Sequence, residues 1–237
     1  MGADGRTEAA LDGLATRYGL RPRQREQLAR LVTVLVADEH APTAVRTAGP
    51  AVDIHFADSL VALELEVARA ARRVADVGTG AGFPGLVLAL ALPDAEVRLV
   101  ESQRRKCEFL ERLCACVAIE NARVVHARAE EWRAGIGEHD LVVARAVAAQ
   151  AVVLEYAAPL LRLGGTLVDW RGQRDPREET RCVAAGEELG LRRAEIRHVS
   201  PFASAQAHHL HLYLKVRETP SRFPRRVGMA RKQPLSG

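Results

Sequence analysis

The chain has 237 residues, a formal charge of +4, a pI near 9.1 and 27% charged residues. That length suits one large domain or one domain with extensions, the mild basicity permits a polyanionic partner without demanding one, and no apolar run reaches the ~18 residues of a membrane span. Met1 to Ala10 is polar and charged, which excludes a secretory signal, and the cysteines form no C-x-x-C pair; a soluble, cytoplasmic protein is expected.

Residues 7–37 read as two helices, with Leu11, Leu14 and Tyr18 spacing one apolar face and Leu28, Leu31, Val32 and Leu35 another. Pro22 stands where the second would start. Residues 38–53 hold two prolines and a glycine and read as a loop; a third helix is predicted from about His55 to Ala71. Residues 1–71 thus form a helical cap. From Arg73 strands and helices alternate: strands at 73–77, 96–100, 122–126, 139–144 and 165–169, helices at 84–92, 104–118, 129–134 and 149–162. A helix at 176–189 precedes strands near 191–199 and 208–216. This alternation predicts an α/β fold with a mostly parallel seven-stranded sheet over 72–217. The last two strands lack a helix between them and should pair antiparallel at one edge. Residues 218–237 form a basic tail. Cys107, Cys114 and Cys116 fall in a predicted helix and, with Cys182, read as small buried thiols.

The most informative stretch is Asp76-Val77-Gly78-Thr79-Gly80-Ala81-Gly82-Phe83-Pro84-Gly85. An apolar strand runs into a glycine-rich turn, an apolar helix follows, and a second strand ends at Glu101. Glycines let a ligand approach the backbone closely, and an acid beyond the second strand can accept ribose hydroxyls. Gly80 to Gly85 matches the dinucleotide pattern G-x-G-x-x-G. The turn already begins at Gly78, however, and D-x-G-x-G-x-G describes the run better. That form resembles the glycine loop of S-adenosylmethionine (SAM) methyltransferases, which seat no pyrophosphate.

Ligands of open α/β sheets bind beyond the carboxyl ends of the strands. Successive predicted strand ends deliver the glycines, then Glu101 and Ser102, then Arg128-Ala129-Glu130-Glu131, then Arg145. Further motifs are His55-Phe56-Ala57-Asp58-Ser59-Leu60 before the sheet and Thr219-Pro220-Ser221-Arg222-Phe223-Pro224-Arg225-Arg226-Val227-Gly228 in the tail. Together these resemble the bacterial 16S ribosomal-RNA guanine-N7 methyltransferase family (RsmG, or glucose-inhibited division protein B), over about residues 55–235. Two features depart from the family pattern. Ala41-Pro42-Thr43-Ala44-Val45-Arg46 stands where the family carries an Asn-Leu-Thr element, and Glu101 replaces its usual Asp.

The resemblance implies a SAM-dependent enzyme with a Rossmann-like fold, acting on 16S ribosomal RNA or the small ribosomal subunit, with no metal, membrane or DNA involved. A SAM methyltransferase acting on a small molecule or protein is the alternative. Gly78 and Gly80 would admit SAM, Glu101 would bind its ribose hydroxyls with Ser102 also among the cofactor-binding residues, and Ala129 and Glu130 would sit at its adenine. Phe83 would wall the site or simply pack helix on sheet. Arg145 would lie where donor meets acceptor, or form a salt bridge at the rim. His55 and Asp58 would make a structural hydrogen bond or touch substrate; no catalytic base is assigned. His208, His209 and His211 invite a metal reading that the absence of nearby acids at ligand spacing opposes. Arg104, Arg105 and Lys106 would be a solvated helix face or meet RNA phosphate. In the tail Lys215, Arg217, Arg222, Arg225, Arg226, Arg231 and Lys232 would add electrostatic RNA affinity, with Arg225 and Arg226 as phosphate contacts away from the SAM site. Alternatively the tail packs on the domain through Phe223 and Leu235.

Overall fold

A computed structural model of the chain describes residues 5–235. Helices α1 (Gly5–Tyr18) and α2 (Pro22–Ala37) bury the apolar stripes their spacing predicts, and Pro22 opens α2. The next stretch corrects the expected loop and long helix. Helical backbone begins earlier, in α3 (Ala48–Ala51), and passes through a π-helical turn (Val52–Ala57) into α4 (Asp58–Leu60). A 3-10 turn (Val61–Glu64) and α5 (Glu66–Arg69) complete it. The physical reason lies in its partners. The Ser59 hydroxyl and the Trp170 indole N–H donate to the His55 and Asp58 carbonyls. Side-chain donors that bond helical carbonyls compete with the backbone N–H groups for them and disturb a regular ladder.

Seven strands follow: β1 (Arg73–Val77), β2 (Glu96–Glu101), β3 (Ala122–His126), β4 (His139–Arg145), β5 (Leu161–Arg171), β6 (Leu191–Val199) and β7 (His208–Lys215). They form one sheet in the order β3-β2-β1-β4-β5-β7-β6. The first five are mutually parallel; β7 runs antiparallel between β5 and the edge strand β6. Helices α6 (Gly85–Ala91) and α7 (Arg104–Val117) join β1, β2 and β3. Buried Gln24 ties the cap to them: its Oε1 accepts the Arg21 N–H at 2.6 Å, and its Nε2 donates to the Leu90 carbonyl at 2.7 Å. The cap residues Leu28, Leu31 and Phe56 share one buried cluster with Leu88 and Leu110.

Helices α8 (Gln150–Ala157) and α9 (Pro176–Leu189) belong to the second cluster, with Tyr213, Phe223 and Ala230. Asp175 caps α9 by accepting the Arg177 N–H at 2.9 Å, and Gly190 at φ +84° ends it. Two expectations fail here. The helix predicted over 149–162 stops at Ala157, because Gly137 and His139 N–H groups capture the Pro159 and Leu160 carbonyls and the chain enters β5 at Leu161. The helix predicted over 129–134 is two 3-10 turns, Ala129–Glu131 and Arg133–Gly135. Gly135 lies against the Trp132 ring, where a Cβ would fall 2.6 Å from the indole, so the segment curls tightly and stops. The last helix, α10 (Met229–Lys232), lies in the tail.

Candidate functional site

The strand order reverses at β1, whose neighbours β2 and β4 are reached in opposite directions; such a point opens a crevice beyond the strand ends. Gly78, Gly80 and Gly82 follow β1 at φ +68°, +60° and +100°. They serve different purposes. A Cβ on Gly82 would overlap Leu86 and stand 3.0 Å from Leu110, so this glycine lets α6 and α7 pack. A Cβ on Gly80 would meet only the Gly78 carbonyl, at 3.8 Å. Gly78 backs onto Val147, 3.0 Å from where its Cβ would be. Buried Asp76 ties the loop's two ends, its Oδ2 accepting the Thr79 hydroxyl at 2.6 Å and the Gly85 N–H at 2.7 Å. Burial pushes this carboxyl up to about 6, against the pull of those two hydrogen bonds.

Glu101, buried at the end of β2, reaches back to the loop: its Oε2 accepts the Gly80 N–H at 3.2 Å and its Oε1 the Gln103 N–H at 2.8 Å. Ser102 is exposed beside it. Glu130 is buried, and its Oε1 accepts the N–H of Gly228 from the tail at 3.2 Å.

At the end of β4, Arg145 donates to Asp58 Oδ2 at 2.6 Å and to the Ile54 carbonyl at 3.0 Å, with Ala146 turning the chain at φ +56° just beyond it. The other oxygen of Asp58 meets His208 Nδ1 at 3.0 Å. His55 stacks flat on Phe83, ring centres 4.4 Å apart, and the Arg145 guanidinium stands 5.9 Å from the same ring. Burial, with Arg145 nearby, lowers the His55 imidazole to about 4 against the opposing pull of Asp58. The neutral ring therefore accepts from Arg145 on Nδ1, at 3.4 Å, and donates from Nε2 to Thr43 Oγ1, at 2.9 Å. The broken helical segment thus brings a neutral imidazole, an aromatic face and an ion pair to the glycine loop.

A cavity of about 350 Å³ opens between residues 39–46 and the start of α7, lined by Arg46, Arg105 and Lys106 among others. The tail corrects two expectations. First, most of its cations are committed. Lys215 is buried in β7 and donates to the Ala158 carbonyl at 2.6 Å, Arg222 pairs with Glu188 at 2.9 Å, and Arg225 grips buried Glu155 at 2.5 Å. Arg225 is therefore not a free phosphate contact, while Arg226 is exposed and has no ion-pair partner among the described residues. Second, the tail touches the rim: Arg231 donates to the Val147 carbonyl at 3.0 Å, and Gly228 reaches Glu130. Phe223 and Leu235 anchor it in the second cluster.

The family model described as GidB, rRNA small subunit methyltransferase G, matches residues 24–208. A ribosomal RNA small subunit methyltransferase G from Chloroflexus aggregans is 36% identical over 240 residues, covering 98% of this chain and 99% of the relative. The chain belongs to the rRNA small subunit methyltransferase G family. Another methyltransferase G, from Syntrophomonas wolfei, is 41% identical over 165 residues, 69% of this chain and 77% of its own. Among solved structures, a SAM-dependent methyltransferase from Aquifex aeolicus shares the fold at TM-score 0.55 and 16% identity, over 70% of this chain and 93% of that one. So does fibrillarin from Aeropyrum pernix, solved with natively bound SAM, at TM-score 0.54 and 18% identity over 67% and 74%.

SAM is the cofactor of this methyltransferase G chain. Its residues fit the group: the space beside Gly80 that a side chain would fill is open, and a buried carboxylate faces that same amide. Gly78, Gly80, Phe83, Glu101, Ser102 and Arg145 come together on one rim, and the Ala129–Glu131 turn joins them through the tail and Val147. Among the described residues no group of three His, Cys, Asp or Glu side chains is placed to hold a metal. His208 instead faces Asp58, His209 the Gly172 carbonyl and His211 Gln150. Cys107 and Cys182 are buried, whereas Cys116 is exposed, which corrects its reading as a core thiol. Val147 and Trp170 carry no local signal in the sequence, since each acts through a partner far along the chain, Gly78 and Asp58 respectively. No helix of the described residues is long and apolar enough to cross a membrane.

Proposed function

We propose that this chain transfers the methyl group of SAM to N7 of a guanine in 16S ribosomal RNA, in the cytoplasm. Family membership supports the activity. The observation that carries the site is the meeting of the Gly80 amide and the Glu101 carboxylate at 3.2 Å, on the loop where Phe83 stacks with His55. In this reading Gly78, Gly80 and Phe83 receive SAM, Glu101 and Ser102 its ribose, and Ala129 and Glu130 its adenine. Arg145 lies between donor and acceptor.

Bound SAM supplies a methyl group on a sulfonium sulfur. Guanine N7 carries a lone pair and no proton, so the chain needs no base to accept one. Neutral His55 and committed Asp58 agree with that. The His55–Phe83 stack holds Phe83 rigidly at the glycine loop, and Arg145, fixed by Asp58 and the Ile54 carbonyl, borders it. Positioning of this kind can remove ~7–11 kcal/mol from a barrier. The RNA backbone follows the cleft of Arg46, Arg105 and Lys106. Nucleoside mass spectrometry of RNA treated with the protein and SAM tests the reading. We expect 7-methylguanosine in small-subunit RNA; methyl found only on cytosine or ribose rejects it.

A further inference from the structure

The sheet face beside β4 lacks the helix that the alternating pattern predicts over 129–134, and the tail covers the short turns that replace it. Phe223 and Ala230 are buried in the same cluster as Val77, Ala144 and α8, against which Ala129 and Val147 also pack. The clamp beneath is strong: Arg225 presents two guanidinium nitrogens to Glu155, Nε at 2.9 Å and Nη2 at 2.5 Å, and Glu155 is 0% exposed. Beyond the clamp the chain hooks onto the site at two independent points. The Gly228 N–H holds the Glu130 carboxylate at 3.2 Å, with the glycine at φ +79°, a left-handed conformation that side chains disfavour. Arg231 holds the Val147 carbonyl at 3.0 Å, and the Val147 side chain is what backs Gly78.

We propose that residues 223–232 are a strap that positions the SAM site, fixing the Ala129–Glu131 turn through Glu130 and the first loop glycine through Val147. The inference rests on the SAM reading of the rim. Arg225 and Gly228 are positioning residues: each acts through a carboxylate, Glu155 and Glu130 respectively. Because the strap shapes the site, SAM binding and strap docking are thermodynamically linked. SAM must hold the strap down by the same factor by which a released strap weakens SAM. A tail that only completes the core would have no such reciprocity.

Exposed Arg226 is the reporter: it lies between the Arg225 clamp and the Gly228 contact, so trypsin cleavage after it should report release of the strap. The intact chain is titrated with SAM by calorimetry, then digested with trypsin with and without saturating SAM. Cleavage after Arg226 should slow about tenfold with SAM, within the usual range of such coupling. Arg231→Ala, which removes the exposed donor to the Val147 carbonyl without entering the core, should weaken SAM several-fold and speed that cleavage, with unchanged circular dichroism. If it fails to fold, the wild-type digest still decides. SAM binding that leaves the cleavage rate unchanged overturns the strap alone. An intact, folded chain that binds no SAM overturns both the strap and the reading beneath it.

Discussion

Glu101 is the residue whose chemistry is least replaceable. It is 5% exposed, and its two oxygens accept the Gly80 and Gln103 amides. A charged hydrogen bond contributes ~1.5–3 kcal/mol, so Glu101→Ala should weaken SAM at least roughly tenfold by calorimetry. A folded variant with wild-type affinity removes Glu101 from the site. His55 supplies a pH test. Its imidazole titrates near 4 in the fold and near its ordinary value of 6.5 when unfolded. The unfolded chain therefore takes up the proton first, and the stability His55 contributes is complete above pH 6.5 and lost as pH falls toward 4. Asp76 and Asp169, raised by burial to about 6 and about 7, act in the opposite sense over much of that window. The comparison must therefore be between variants. His55→Gln should lose less stability than the wild type between about pH 6.5 and pH 4.5, by up to roughly 1.4 kcal/mol per pH unit, in urea denaturation at each pH. Equal losses would mean that His55 is not the buried neutral group described.

The glycine loop is one element with two tasks, and substitution should separate them. Gly80→Ala places a methyl in open space at φ +60°, at a backbone cost of ~1–2 kcal/mol. The variant should fold, with a modestly lower melting temperature, and lose SAM binding. Gly82→Ala drives a methyl into Leu86 and Leu110 at φ +100° and should destabilise the whole domain by several kcal/mol, strain and overpacking together. Similar melting temperatures for the two would refute this division. The alternating spacing of the glycines is plain in the sequence, but it does not say which glycine faces a ligand and which a leucine. That distinction depends on how Leu86 of α6 and Leu110 of α7 pack against the loop.

At the scale of the molecule, the basic tail is part of the architecture, and charge alone misjudges it. Arg225→Ala leaves the Glu155 carboxylate buried and unpaired, which should cost about 3 kcal/mol and show as a lowered denaturation midpoint. In the reading proposed above, the electrostatic footprint lies in the cleft by α7. Arg105→Ala with Lys106→Ala should flatten the log–log salt dependence of RNA binding by ~0.7–0.9 for each phosphate no longer neutralised, with SAM affinity unaltered. A wild-type slope would move the RNA path elsewhere. The sequence by itself determined the strand–helix alternation, the boundaries of β1, β3, β6 and α9, the glycine loop and the acid beyond β2. Each of these is written in local periodicity, capping residues such as Asp175 and Gly190, or spacing within one βα unit. Only the tertiary structure decided that the segment around His55 unwinds to meet Phe83, Arg145 and His208, that Lys215 lies buried, and that Gly228 reaches Glu130. These contacts join residues roughly 30 to 150 positions apart. Neither propensity nor charge pattern encodes them, because burial in the assembled fold, rather than local sequence, selects each polar group's partner.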